Sequence, residues 1–120
     1  MSANLQSPIF SVNVPIGTVL AWDDSIAGVP ALPQGWILRD GSTITDARSP
    51  MNGQTPTSLN GNSESTKRFI RGSTTSGSTG GSPTINANVT VSGGGSTYGI
   101  SGNISVINPY YEIKFIMRIF

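Results

Sequence analysis

The C-terminal stretch, residues 108–120, constrains the fold more than any other part of the chain. Counted two at a time, Tyr111, Ile113, Phe115, Met117 and Ile119 fall on one strand face, whereas Glu112, Lys114 and Arg118 fall on the other. This alternation predicts a β-strand with one buried face. At about 3.3 Å per residue the run from Tyr110 would span roughly 36 Å, so we expect it to cross the domain, either centrally in a sheet or between copies of the chain. If the strand lies between copies of the chain, the subunit interface would contain Tyr111, Ile113, Phe115, Met117 and Ile119.

Short apolar or alternating segments, separated by turn residues, occupy much of the remaining chain. They predict strands at residues 15–22, 36–38, 67–72, 85–91 and 100–106. Asp40-Gly41 follows the second segment and predicts a turn. Residues 42–66 are polar and show no helical periodicity that would support more than a single helical turn. The sequence therefore predicts an all-β, mostly antiparallel small domain over residues 15–120.

Residues 85–106 predict a hairpin, because two alternating segments flank the glycine-rich stretch 92–99. One face of this hairpin would carry Asn, Ser and Thr side chains. Tyr98, with Thr97 beside it, would lie at the tip. Two interpretations of Tyr98 stay open at this point: it packs back on the hairpin, or it is displayed for contact with a partner.

Residues 1–14 predict an extended N-terminal arm that is polar except for one apolar patch and the alternating Val12 and Val14. The patch consists of Pro8, Ile9 and Phe10. Exposed Ile9 and Phe10 would be a liability on a small domain unless they dock onto the body or a partner. The arm is therefore expected to be either a disordered leader or a docking segment that attaches through this patch.

The chain contains neither histidine nor cysteine, which argues against several classes of function. Histidine is the commonest general acid or base near neutral pH, a nucleophilic serine needs a base beside it, and zinc-thiolate sites need cysteine. The six carboxylates show neither the arrangement of a paired-carboxylate hydrolase nor the ligand spacing of a calcium loop. We therefore expect no enzymatic activity, no metal site and no cofactor.

Charge is sparse along the chain, at 11% of residues, and the net charge is +1. A net charge this small gives no electrostatic basis for binding nucleic acid. The one basic cluster, Lys67, Arg68 and Arg71, is expected to be a solvated face paired with local carboxylates. No apolar run approaches the roughly 18 residues of a membrane span. We expect neither nucleic acid binding nor membrane insertion.

Four separated segments together resemble the phage tail collar domain family. The first three are similar, in order, to sequence elements of that domain: residues 15–22 (PIGTVLAW), 33–41 (PQGWILRDG) and 68–72 (RFIRG). The fourth, Pro109-Tyr110-Tyr111 followed by residues 115–119 (FIMRI), resembles the end of many such fibre proteins. Two features differ from the family. Arg39 stands where a cysteine or another small residue is common, and the glycine-rich region lacks the His-x-His metal ligands that many relatives carry.

The resemblance implies a virion component with no enzymatic role: a short fibre, collar or tip protein, with intertwined β-structure and usually three identical subunits. On this basis we expect a homotrimeric structural appendage of a bacteriophage particle, assembled in the host cytoplasm. Residues 1–14 would attach it to other virion proteins, and residues 15–120 would form the tail-collar-like body. The polar faces could bind a host-surface glycan, with Tyr98 as a stacking platform.

Two other functions remain open from the sequence. A head-fibre or capsid-decoration protein would have the same physical properties and a different place on the particle. A free carbohydrate-binding module would instead be a monomer or dimer, with measurable sugar affinity that survives removal of the arm.

Overall fold

A computed structural model describes residues 14–120, with residues 89–92, 96–98, 100 and 101 described by their backbone alone. Its regular structure consists of strands: β1 Val19–Trp22, β2 Trp36–Leu38, β3 Thr84–Gly93, β4 Ser96–Ser105 and β5 Lys114–Arg118. Every strand pairing is antiparallel, so the predicted all-β, antiparallel fold class is confirmed. The chain divides into two compact units. The core unit comprises the residues up to Asn60 with Ile113–Phe120, and the hairpin unit is Gly61–Glu112.

The core unit is built on a three-stranded sheet in the order β1-β5-β2. The C-terminal strand is therefore central in the sheet, which is one of the two positions that its sequence allowed. Met117 illustrates this position, because it lies opposite Val19 of β1 and Ile37 of β2. The strand is shorter than predicted, since its hydrogen-bonding ladder ends where its short partner strands end. It also buries residues of both faces: Ile116 is 7% exposed beside Met117 at 4%.

The core centres on Ile44, Met117 and Ile119, which are the most buried apolar residues of the unit. Partly buried side chains pack around them: Val19, Ile37, Met51 and Phe120. Ile44 comes from the polar stretch 42–66, where the sequence predicted no element. Its backbone N–H donates to Gln54 at 2.9 Å, and its carbonyl accepts from Gly53 at 2.8 Å. This pairing closes a loop that inserts one isoleucine under the sheet.

Gly35 lies where a tight turn meets the end of the C-terminal segment. The Trp36 N–H donates to Pro33 at 3.3 Å, and Gly35 has φ of +89°, as expected for the third residue of a type II turn. The Gly35 carbonyl accepts a hydrogen bond from Ile119 at 2.7 Å. A Cβ at position 35 would lie 2.8 Å from the carbonyl oxygen of Phe120. Backbone conformation and space therefore both require glycine.

Arg39 and Asn60 fasten the loop before residue 61 to the sheet. Arg39 donates from Nε and Nη2 to the Thr57 carbonyl at 3.1 and 2.6 Å, and its Nη1 lies 3.6 Å from Met117 Sδ. The Asn60 side chain donates to the Phe115 carbonyl at 2.9 Å and accepts from the Phe115 N–H at 2.7 Å. Burial lowers the pKa of Arg39. Arg39 thus has a packing and hydrogen-bonding role that a small residue could not fill.

Asn60→Ala is expected to lower the free energy of unfolding by about 1–2 kcal/mol, because it leaves the half-buried Phe115 N–H without this acceptor and leaves the Phe115 carbonyl with the Arg39 N–H, at 3.0 Å. Urea titration followed by tryptophan fluorescence measures the change. Asn62→Ala, at an exposed position two residues away, is the matched control and should change stability by no more than about 0.5 kcal/mol. Equal effects of the two substitutions would contradict the structural role of Asn60.

The hairpin unit contains the two-stranded sheet β3-β4. Gly94 and Gly95 connect the strands with φ of +56° and +80°, the signature of a type I′ turn. The predicted hairpin is confirmed, with Ile85 opposite Ile104, but its tip is shorter than the stretch 92–99. The strand predicted at residues 67–72 is wrong. That segment has no strand partner, and its apolar residues remain in solvent.

Candidate functional site

The five residues predicted for a subunit interface fall into different environments. Met117 and Ile119 are 4% and 3% exposed and pack in the core of their own chain. Phe115 is half-buried in the same sheet. Tyr111 and Ile113, which precede β5, are 69% and 36% exposed. These two residues are therefore the members of the set that remain most accessible to a neighbouring copy.

The other predicted contacts involve residues for which the structure gives less detail. Tyr98 and Thr97 lie within β4, opposite Val91 and Ser92, rather than in the turn. Only their backbone is described, so the receptor contact stays a prediction. The attachment patch Pro8, Ile9 and Phe10 lies outside the described residues, as does the rest of the arm before Val14.

A surface groove of about 560 Å³ runs along the core unit. Arg48 dominates its polar lining. The guanidinium donates from Nε and Nη2 to the Asp46 carboxylate at 3.0 and 2.9 Å, and from Nη1 to Gln34 at 3.4 Å. It also lies 4.1 Å from the centroid of the Phe120 ring, within the range of a cation–π contact. The charges of Arg48 and Asp46 therefore neutralise each other within one ion pair of the groove lining.

Two carboxylates line this groove, and both titrate below their usual range. Hydrogen bonds from Arg48 lower the pKa of Asp46, and hydrogen bonds from the Ser42 hydroxyl and N–H lower the pKa of Asp40. A general acid at neutral pH needs the opposite shift. Both carboxylates are therefore ionised at neutral pH and are held by these hydrogen bonds.

Asp40→Asn is expected to weaken the pH dependence of stability. The folded-state pKa of Asp40 lies below the ordinary aspartate value of about 3.9, so its stabilising contribution is complete above that pH and is lost as the pH falls through the folded pKa. Asparagine keeps an acceptor for the Ser42 N–H but carries no titrating charge. Between about pH 6 and about pH 3, the wild-type protein should lose more unfolding free energy than the variant in urea titrations. Equal losses would contradict the assignment.

The hairpin unit has an exposed apolar surface and no buried interior among its described side chains. Of the large apolar side chains in this unit, Phe69 is the most exposed, at 79%, followed by Tyr111 at 69%. We call the following residues the exposed apolar set: Phe69, Ile70, Ile85, Ile104, Val106, Tyr110 and Tyr111. Single exposed apolar residues are ordinary, but so many in one small unit indicate an interaction surface.

Sequence reasoning missed most of this set as an interaction surface. It assigned residues 67–72 to a strand and described the hairpin by its polar face and glycine-rich tip, without assigning a role to its apolar face. For residues 67–72 the available signal was their isolation. The segment that follows them, residues 73–82, consists of Gly, Ser and Thr and offers no apolar layer that could cover them.

The part of the chain that the structure describes contains no helix long and apolar enough to cross a membrane. Within that part, no three acidic side chains gather as ligands for a metal ion would. Comparison of the chain with protein-family models, with curated proteins and with solved structures gave no match. The candidate functional site is therefore defined by geometry alone, as the exposed apolar set of the hairpin unit.

Proposed function

We propose that the protein is a structural appendage of a bacteriophage particle, a short fibre, collar or tip component that works as a homotrimer. The observation that carries the proposal is the uneven burial along the chain. The buried apolar side chains among the described residues, Ile44, Ile116, Met117 and Ile119, all belong to the core unit. The hairpin unit has none in its described part and presents the exposed apolar set instead. A unit of this kind gains its burial by association with other subunits.

The chemistry of the chain supports a structural role over a catalytic one. Its polar surface is rich in Gly, Ser, Thr and Asn and carries little charge. Two ion pairs of the core unit join Lys114 to Asp24 at 2.5 Å and Arg48 to Asp46 at 2.9 Å. In the hairpin unit Lys67 pairs with Glu112 and with Glu64, at 3.4 Å to the latter. Hydrogen bonding to Glu112 raises the pKa of Lys67, so this charge is held at any physiological pH.

The motifs at residues 15–22, 33–41 and 68–72 support the same proposal through their resemblance to the phage tail collar domain. Under this proposal the N-terminal arm attaches the trimer to other virion proteins through Pro8, Ile9 and Phe10. The body contributes to host-surface attachment by hydrogen bonding to a glycan. Tyr98 and Thr97 are the proposed contacts for this ligand.

The proposal is tested first by the mass of the protein in solution. Light scattering after gel filtration should give three times the mass of a single chain, both for the intact protein, whose chain mass is 12.5 kDa, and for a lighter variant that lacks residues 1–14. Immunogold electron microscopy of particles should then locate the protein on the tail. Labelling of the capsid would instead favour a decoration protein. A monomer in both preparations, with sugar affinity that survives loss of the arm, would favour a free carbohydrate-binding module.

A further inference from the structure

The β3-β4 hairpin has one apolar face that nothing within its own sheet covers. Ile85 and Ile104 lie directly opposite each other, and they are 53% and 51% exposed. A two-stranded ribbon of this kind is at best marginally stable in water without a third strand or a packed face. Both strands nevertheless extend for ten residues, longer than any strand of the core unit. A ribbon this long needs a second apolar surface against this face.

The charge distribution indicates what that second surface is like. Residues 73–111 contain no Asp, Glu, Lys or Arg, and this segment includes the whole hairpin. A partner with a strong charge of either sign would find nothing here to pair with, and charged groups buried against this face would lose hydration without compensation. The matching surface is therefore apolar and uncharged as well. A second copy of the same hairpin has these properties and is present at equal concentration.

The hairpin also lacks the features by which proteins block association of exposed strands. Neither β3 nor β4 contains a lysine, a glutamate or a proline. The opposite face, by contrast, is suited to water: Asn86 lies opposite Asn103, and both side chains are exposed. The edges of the hairpin are thus unprotected, and its two faces differ: one is apolar and the other is polar and amide-rich.

We infer that the Ile85/Ile104 face of the hairpin is the contact surface between copies of this chain, with the Asn86/Asn103 face turned to solvent. This inference rests on the proposed homotrimer and specifies where its subunits meet. The interface lies at β3-β4, with Val106 extending it, rather than at the buried face of β5. Met117 and Ile119 pack in the hydrophobic core of their own chain, so their side chains cannot contact a neighbouring subunit.

The test compares two matched double variants of the full chain. Ile85→Thr with Ile104→Thr alters the apolar face, and Asn86→Thr with Asn103→Thr alters the polar face at the adjacent strand pair. Threonine has high strand propensity, so both variants retain the local preference for the hairpin. Folding of the core unit is followed separately, because both tryptophans, Trp22 and Trp36, belong to that unit.

We expect the isoleucine variant to dissociate to monomers at a protein concentration at least about a hundredfold higher than the wild type does, since each subunit loses two apolar contacts. Its tryptophan fluorescence should remain that of the wild type. The asparagine variant should dissociate at the wild-type concentration. Sedimentation velocity over a dilution series measures all three proteins.

The outcomes separate this inference from the proposed function. A trimeric wild type with a trimeric isoleucine variant would overturn the hairpin interface and leave the homotrimer intact. A monomeric wild type would overturn both. Equal dissociation of the two double variants would also contradict the inference, because it would show no preference between the faces. A wild-type trimer with selective loss of assembly in the isoleucine variant would support it.

Discussion

Gly35→Ala is expected to lower the free energy of unfolding by about 3–4 kcal/mol, a large part of the roughly 5–15 kcal/mol that stabilises an ordinary domain. Two costs combine. An alanine at φ of +89° is strained by about 1–2 kcal/mol, and its methyl carbon would lie 2.8 Å from the Phe120 carbonyl oxygen. Relieving that contact moves backbone on both sides of the Ile119 to Gly35 hydrogen bond, at a further cost of about 1–3 kcal/mol.

Gly53→Ala separates these two costs. Gly53 has the same φ of +89°, but a Cβ built there would meet no atom within 4 Å. It should therefore show the backbone strain alone, about 1–2 kcal/mol. Urea titration at one fixed protein concentration, followed by tryptophan fluorescence, measures both variants. Equal losses at the two positions would mean that the approach of Phe120 does not constrain position 35.

Ile119→Ala is expected to lower the free energy of unfolding by about 3 kcal/mol. Ile119 is 3% exposed and contacts Ile44 and Met117 in the core cluster, so removing its side chain beyond Cβ leaves a cavity where these residues meet. The loss combines the transfer free energy of the deleted methyl and methylene groups with the cavity term. Thermal and urea unfolding of the variant should both show it.

The matched control is Ile26→Ala. Ile26 belongs to the same unit, but it lies in a loop and is 61% exposed. Its replacement should change the free energy of unfolding by no more than about 0.5 kcal/mol. If Ile26→Ala lowered the free energy of unfolding as much as Ile119→Ala does, the result would contradict the assignment of the core to the cluster around Ile119.

The sequence was most informative where structure depends on neighbouring residues. The bounds of β2 follow from its flanking turns, Pro33 to Gly35 before it and Asp40-Gly41 after it. The hairpin follows from alternation and glycine, because its pairing is local. The large apolar content of the C-terminal strand limited it to the centre of a sheet or to a subunit interface, and the structure places it at the centre of the sheet.

Three features of the structure depend on contacts between residues distant in sequence, and no local sequence pattern indicates them. Ile44 stands alone among polar residues, so no periodicity marked it as the most buried residue of the core. Asn60 precedes a turn-forming glycine, and its sequence context gave no sign that its amide would bind the backbone of Phe115. The segment 67–72 has the composition of a strand but no partner strand. Composition cannot distinguish an apolar segment that packs from one that remains exposed for an interface.

The order of strands along the chain has a consequence for synthesis on the ribosome. β5 pairs with both β1 and β2, yet it is translated after everything between Trp22 and Lys114. At about 5–20 residues per second, β1 waits on the order of 5–20 s for its partner. The hairpin needs only a two-residue turn and can form within about 1–10 μs of emerging. Ser105, the last residue of the hairpin, precedes Lys114 by only nine residues, so for most of this interval the nascent chain carries β1 and β2 as unpaired apolar segments that chaperones or neighbouring nascent chains can bind.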